Sequence, residues 1–327
     1  MQLTRRQVLQ GAAGSTVLAL AGPAFAQGSD IARVIVGFPA GGTADTMCRR
    51  LAERLQPGYA KSVVVDNKPG AGGKIAVQSM KSLPADGSVM LLTPMSMLGI
   101  YPHTYKNVGY NPFTDLTPVS LSTTFEFGFC IGPAVPESVR TLSDFLAWAK
   151  TNPGKANFGS PAPGSIPHFI GVLLGQAGGA QLTHIAYRGT GPALLDLIGG
   201  QVAAVSGLIG DINAQMASGK VRLLGVSGEK RSKFAPQVPT YAEQGFKDLV
   251  FSEWYGIYLP PGAKPDVVQR LHAALVPALA SPELAQGIAA MGLEPASSTP
   301  AELEARLKAD TQRWGPIVRS IGFTADS

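Results

Sequence analysis

One unit recurs along this chain: an apolar strand, a glycine-rich turn, and a helix whose apolar residues keep a period near 3.6. Ile31 to Phe38 is an apolar run broken by one basic residue, the pattern of a strand covered on both faces. Pro39-Ala40-Gly41-Gly42-Thr43 follows, and then Ala44, Met47, Cys48, Leu51 and Leu55 fall at helical spacing. The unit repeats as strands at Ser62 to Asp66 and Ser88 to Thr93, with a turn at Asn67 to Gly72 and a helix at Gly73 to Ser82 between them. Further on, Asn157 to Gly159, Leu182 to Tyr187, Gln201 to Gly207 and Val221 to Ser227 read as extended, with helices at Ile166 to Gln176 and Pro192 to Ile198. Thr141-Leu142-Ser143-Asp144 opens a helix as a capping box, and Pro265 to Leu279 and Thr299 to Val318 read as amphipathic helices. Such alternation predicts mostly parallel sheet covered by helices.

Two extended segments, Pro118 to Ile131 and Val250 to Leu259, lack a following helix. Each is long enough to leave one sheet and enter another. They are expected to be crossovers between two lobes: residues 27–125 with 253–327, and residues 126–252. The alternative is one large doubly wound sheet.

Composition narrows the class. The 39 Gly and 26 Pro show no triplet period, which excludes collagen, and 45% apolar residues exclude a disordered chain. Two cysteines make neither a disulfide scaffold nor a four-ligand zinc site. Cys48 and Cys130 are expected as separate buried thiols, with a bridge left open. The net charge of +5 includes Arg5 and Arg6, and residues 1–26 hold no acid; without them 25 bases face 22 acids, leaving +3. No basic stripe remains, so nucleic acid is not an expected partner.

Residues 1–26 read as an export signal. Thr4-Arg5-Arg6-Gln7-Val8-Leu9 precedes a short apolar stretch and Pro23-Ala24-Phe25-Ala26, with cleavage expected after Ala26. The paired arginines favour twin-arginine export over a Sec signal, and either route takes the mature chain out of the cytoplasm.

Catalytic and cofactor motifs mostly fail. Gly70-Ala71-Gly72-Gly73-Lys74-Ile75 lacks the Ser or Thr of a phosphate loop, no G-x-S-x-G elbow occurs, and His103, His168, His184 and His272 show no ligand spacing. No cofactor or metal is expected. Three loops survive: Pro39 to Asp45, Pro163-Gly164-Ser165, and Tyr187-Arg188-Gly189-Thr190-Gly191-Pro192. In each a strand ends, glycine clears the approach, and a helix begins with free N–H groups. Facing one cleft, they would hold a carboxylate.

The ordered set Phe38-Pro39-Ala40-Gly41-Gly42-x-x-Asp45, Val65 to Gly73, Pro84-Ala85-Asp86-Gly87, Tyr187-Arg188-Gly189-x-Gly191-Pro192-Ala193, Val238-Pro239-Thr240-x-x-Glu243-x-Gly245 and Pro260-Pro261-Gly262 closely resembles the Bug family. These are extracytoplasmic substrate-binding proteins of tripartite tricarboxylate transporters, and the similarity runs from Ile31 to Gly322. The resemblance implies an α/β, type II periplasmic binding fold, two lobes joined by two crossover strands. It implies a monomer that captures a small-molecule carboxylate and docks to one large and one small integral membrane subunit. It also implies that Phe38, Ala40, Gly41, Gly42, Thr43, Asp45 and Ser96 line the cleft from one lobe. Gly164, Ser165, His168, Tyr187, Gly189 and Thr190 would line it from the other.

Several residues keep a second reading. Asp45 caps or orders its loop, since a carboxylate would repel an acidic ligand. Thr43 is an N-cap, a ligand donor, or both. His168 serves the ligand or a structural hydrogen bond, Arg188 faces cleft or solvent, and Trp254 packs at the hinge. Where many relatives carry Asp after a second-lobe strand, this chain has Gly207, with Asp211 four residues on, which weakens any transfer of ligand identity. A plain mono- or dicarboxylate is the preferred ligand class. A ligand-presenting sensor protein remains an alternative, and a periplasmic hydrolase a weaker one.

Overall fold

Three parallel strands start the chain's first half: β1 (Ile31–Val36), β2 (Ser62–Asn67) and β3 (Val89–Pro94), in the order β2-β1-β3. The computed structural model describes residues 30–325, so the export signal lies outside the described residues. β3 is buried along its whole length, which is why it reads as unbroken apolar sequence. Helix α1 (Thr43–Leu55) returns over the sheet and buries Ala44, Met47, Cys48, Leu51 and Leu55. Each of the larger side chains contributes about 1.5–3 kcal/mol by burial. After β2 the chain turns through Gly70 to Gly73 into the short α2 (Lys74–Ser79). Gly73 has φ +93°, and a Cβ there would lie 1.9 Å from Met97 Cε, so both backbone and packing require glycine. After β3, a wide helical turn at Ser96–Ile100 runs into α3 (Tyr101–Thr104).

β4 (Thr117–Ile131) is the joint of the molecule. Its first part, Thr117 to Glu126, runs antiparallel to β9 (Ser252–Leu259), which in turn pairs with β3. From Phe127 to Ile131 it pairs instead with β7 (Ala204–Leu208), and from Gly128 also with β8 (Arg222–Val226). β5 (Asn157–Ser160) lies parallel to β7 and to β6 (Thr183–Ala186). The strand order is therefore β2-β1-β3-β9-β4-β7-β5-β6, with β8 and β10 (Leu293–Pro295) attached to β4. Register shifts near Val119 and Ser122 mark bulges that bend β4 on its way between partners. The two halves are two α/β lobes, and the antiparallel β4 and β9 at mid-sheet exclude a doubly wound parallel arrangement. The ladder is nevertheless continuous, because β4 belongs to both lobes. The return crossing differs in form: among the described residues β9 pairs only with β3 and β4, and the link to the second lobe is made just before it, where Phe251 N–H donates to Ser227 O at 2.8 Å.

Helices cover both halves. α4 (Leu142–Thr151) opens with the expected capping box of Thr141 and Asp144. α5 (Ile166–Gly178), α6 (Thr190–Ile198) and α7 (Ile209–Met216) follow β5, β6 and β7. α8 (Pro265–Leu279), α9 (Pro282–Ala289) and α10 (Pro300–Ile321) complete the fold, α10 with a capping box of Thr299 and Glu302. Trp314 of α10 packs between Phe169 of α5 and Phe251, with ring centroids 5.8 and 4.9 Å away, so the last helix ties the lobes together behind the sheet joint. Trp254 is fully buried on β9 and donates from Nε1 to Asp310 Oδ2 at 2.8 Å, a packing role at the hinge. Cys48 and Cys130 are both buried and unpaired, and burial raises both thiols far above their usual range.

Candidate functional site

A cavity of about 550 Å³ lies between the lobes, and four helices begin on its wall. α1 starts at Gly42, α5 at Ser165, α6 at Gly189 and α7 at Leu208, and none of these four residues caps its helix with a side chain. Of the helices that start away from the cavity, α4, α9 and α10 are closed by the side chains of Thr141, Ser281 and Thr299, while α8 begins at Lys264 without a side-chain cap. An uncapped first turn leaves N–H groups without intrahelical partners and carries about half a positive charge. Four such ends around one cavity attract an anion without formal cations. The loops are held open by backbone that only glycine adopts freely, φ +82° at Gly41 and +120° at Gly189.

Side chains complete the wall. Phe38, Phe125, Phe127, Met97 and Leu208 supply apolar surface, and Arg188 is a cation on the lining that makes no ion pair or hydrogen bond with another described residue. Ser96 and Thr190 are each 3% exposed, and neither hydroxyl completes a well-formed hydrogen bond, although Ser96 lies beside Glu253 and Thr190 beside Asp211. Glu253 Oε1 accepts from Ser96 N–H at 2.8 Å. Thr43 Oγ1 donates to Asp211 Oδ1 at 3.2 Å, a bond that joins α1 of one lobe to α7 of the other across the cavity. Burial raises the Asp211 carboxyl above its ordinary range against the pull of the Thr43 and Thr190 hydroxyls. Burial also pushes Glu253 up to about 7, with the nearby Asp310 charge adding to it and the Ser96 hydrogen bonds opposing it.

Nine of the thirteen residues expected at the cleft line this one cavity: Phe38, Ala40, Gly41, Gly42, Thr43, Ser96, Ser165, Gly189 and Thr190. Four stand behind it. Asp45 is 2% exposed, and its carboxylate accepts from Gly41 N–H, Arg49 Nε and Asn67 Nδ2, each at 2.9 Å. Burial alone would raise its pKa, but these hydrogen bonds hold it below the usual carboxylate range. Asn67 also donates to Phe38 O at 3.0 Å, so the pair fixes the shape of the 38–42 loop. His168 Nδ1 accepts from Gly164 N–H at 3.0 Å, which orders the turn ahead of Ser165 and occupies both residues. Burial, with the His184 ring 3.9 Å away, lowers His168 to about 3, so it is a neutral acceptor. Tyr187 turns its hydroxyl onto Asp196 Oδ2 at 2.7 Å.

Residues 47–323 match the family model described as TctC, the tripartite tricarboxylate transporter family receptor. The chain belongs to the TctC family. Among curated relatives of this TctC-family chain, Protein BugT of Bordetella pertussis is 33% identical over 291 residues, covering 89% of each chain. A UPF0065 protein in the gbd 5′ region of Cupriavidus necator is 34% identical over 292 residues, 87% of this chain and 86% of that one. Solved structures agree: the periplasmic binding protein BugD is 30% identical with TM-score 0.82, over 91% of this chain and 99% of that one. A Rhodopseudomonas palustris protein, Rpa4515 with adipate, is 27% identical with TM-score 0.84, over 90% and 98%. MatC of the same species, with bound malate, is 25% identical with TM-score 0.79, over 88% and 98%. BugD is a periplasmic binding protein, and the TctC-family chain shares its fold.

Sequence reasoning missed both acids on the lining. Asp211 stands out in the sequence only as the acid beyond Gly207, and Glu253 stands one residue before Trp254 on a strand assigned to the hinge. The available signal was the alternation of β9, which puts Glu253 and Tyr255 on one face of the sheet and Trp254 on the other. The departure at Gly207 has a physical cause in this TctC-family fold: a Cβ there would lie 2.4 Å from Thr190 Cγ2. The Thr190 methyl fills the place a larger residue at 207 would need.

Proposed function

We infer that the protein is a periplasmic solute receptor that captures a small organic acid, a mono- or dicarboxylate, between lobes formed by residues 27–125 with 253–327 and by residues 126–252. The observation that carries this reading is the meeting of four uncapped helix N-termini on one cavity. The adipate and malate held by two structural relatives fit the same chemistry. About 550 Å³ suits a molecule of that size. The nine lining residues named above are assigned to the ligand, with Asp45, Gly164, His168 and Tyr187 shaping the loops that present them.

Binding rather than turnover fits the lining. The Ser165 hydroxyl donates to Ala162 O, and the His168 ring faces Gly164 instead of a hydroxyl, so neither forms a nucleophile with its base. The receptor works as a monomer, closes by bending at β4 and at the strand entry near Phe251, and delivers its ligand to a large and a small integral membrane subunit. No described helix is long and apolar enough to cross a membrane itself. Scanning fluorimetry against a panel of organic acids tests the reading, since a ligand that binds only the folded chain raises its melting temperature. At least one carboxylate is expected to do so. A shift with a sugar or a simple cation, and none with any carboxylate, refutes it.

A further inference from the structure

The lining is unusual for an acid-binding cavity in its balance of charge. Two carboxyls, Asp211 and Glu253, face it against one guanidinium, Arg188. Asp211 occupies a specific place. It lies in the first turn of α7, and it reaches the first residue of α1 through Thr43 and lies beside the first residue of α6, Thr190. It therefore supplies negative charge to three of the four positive helix ends. A ligand carboxylate laid on that spot would meet a carboxylate already there, and like charges in contact in a desolvated pocket repel strongly. The carboxylate of the ligand is thereby directed away from Asp211, toward the uncapped start of α5 at Ser165, the one helix end of the four that Asp211 does not reach.

The end of the ligand that meets Asp211 must then offer what Asp211 lacks. Asp211 Oδ1 accepts from Thr43 at 3.2 Å, and the neighbouring Thr190 hydroxyl also lies against the carboxyl, which leaves further lone pairs of this lining group for the cavity. A carboxyl on the cavity wall with spare acceptor capacity calls for a ligand group that donates, a hydroxyl or a donor with several protons. We propose that Asp211 is a specificity-determining residue of this receptor, and that the preferred ligand is a monocarboxylate carrying a hydrogen-bond donor, an alcohol or an amine, that binds Asp211. This rests on the carboxylate-receptor reading above and narrows it: a dicarboxylate of the same length, whose second end is a pure acceptor at neutral pH, is the disfavoured competitor. Thr43 holds Asp211 in place across the cavity, so the same carboxyl that reads the donor also joins the closed lobes.

Isothermal titration at pH 7.5 tests this with three series of equal chain length: ω-hydroxy monocarboxylates, ω-amino monocarboxylates and dicarboxylates. The wild-type protein is expected to bind a member of the first or second series about 10- to 100-fold more tightly than the matching diacid, the range of one buried charge-assisted hydrogen bond. The hydroxy and amino arms separate the two donor chemistries. Asp211→Asn keeps an acceptor for Thr43 and removes the charge; it is expected to erase that preference and to tighten dicarboxylate binding. Thr43→Val removes the link across the cavity without touching charge, and is expected to weaken all three series alike. Wild-type preference for the diacid overturns the proposal with no need of a variant, as does an Asp211→Asn protein that folds and keeps the wild-type ranking. Failure of every carboxylate to bind instead overturns the receptor reading on which it rests.

Discussion

Glu253 gives the most quantitative test of the site, because its proton should be visible in the stability of the whole chain. The carboxyl is 4% exposed and its pKa rises from 4.5 to about 7 in the fold. The fold therefore prefers it protonated, and its contribution to stability declines as pH climbs from about 4.5 to about 7. The buried imidazoles act in the opposite sense: burial, with His184 adding to it, lowers His168 from 6.5 to about 3, and burial lowers His184 to about 4. Their contribution is complete above 6.5 and declines as pH falls toward 4. At pH 5.5 the unfolded chain holds about two protons on the imidazoles that the fold excludes, and lacks about one that the fold keeps on Glu253. For these three groups the difference, about one proton, makes stability rise by about 1 kcal/mol per pH unit there and flatten near pH 7, and Asp211 and Glu126, which burial also raises, lower that slope alike in the wild type and in a Glu253 variant.

Glu253→Gln removes the opposing member while keeping an acceptor for Ser96 N–H. Its slope near pH 5.5 should exceed that of the wild type by about one proton, about 1 kcal/mol per pH unit. Between pH 5.5 and 7.5 the variant should gain about 2 kcal/mol on the wild type, since it no longer ionises a buried acid. Carboxylates held low by hydrogen bonds, such as Asp45, Asp144 and Glu302, titrate below this window and cancel between the two proteins. Urea unfolding at half-unit steps from pH 5 to 8 supplies both curves. Parallel curves would refute the reasoning, because they would mean that Glu253 is already ionised in the fold at pH 5.

Two further outcomes follow from the lining. Gly207→Ala must push aside the Thr190 methyl, and is expected to cost about 1–3 kcal/mol in urea unfolding; adding Thr190→Ser should recover most of it, and an unaffected single variant would show that the space at 207 is open. Arg188→Gln should weaken carboxylate binding by up to about fivefold at low salt, with the difference fading above about 0.5 M salt as expected of an exposed charge; equal affinities at low salt would place the guanidinium away from the ligand.

How much of this was legible beforehand depended on whether the forces acting were local. Strand and helix periods placed β1, α1, β4 and α8 within a residue or two, because buried faces impose their spacing directly on the sequence. The wide turn at Ser96–Ile100 was not legible: all five residues are buried, so no polar face marks its period. α7 was missed for another reason, since it starts straight from β7 without a glycine turn, and Gly210 within it serves a tertiary contact, where a Cβ would lie 2.0 Å from the Met291 backbone. The thirteen candidate residues divide on the same principle. Residues at strand-to-helix turns, Gly164 apart, reached the cavity, because a helix N-terminus points where its own turn points. Asp45, His168 and Tyr187 turn their side chains to other partners instead: Asn67, which the adjacent strand β2 brings to Asp45, and the nearby Gly164 and Asp196.

The acids carry this argument furthest. Asp211 meets Thr43 across 168 residues of sequence, and Glu253 meets Ser96 across 157. Neither pairing leaves a trace in local composition. Asp211 joins a second-lobe helix to the opposite side of the cavity, whereas Glu253 meets the turn that follows its neighbouring strand β3 within the first lobe, so only the Asp211 pairing requires the lobes to come together. A family motif that marks the anion-binding turns therefore identifies what every member shares, a place for a carboxylate. What distinguishes one member from another has to be sought in the charges that closure adds. In this chain the contact between the lobes across the cavity is itself a carboxylate, so if Asp211 selects the ligand as proposed, its substitution should alter ligand choice and lobe closure together.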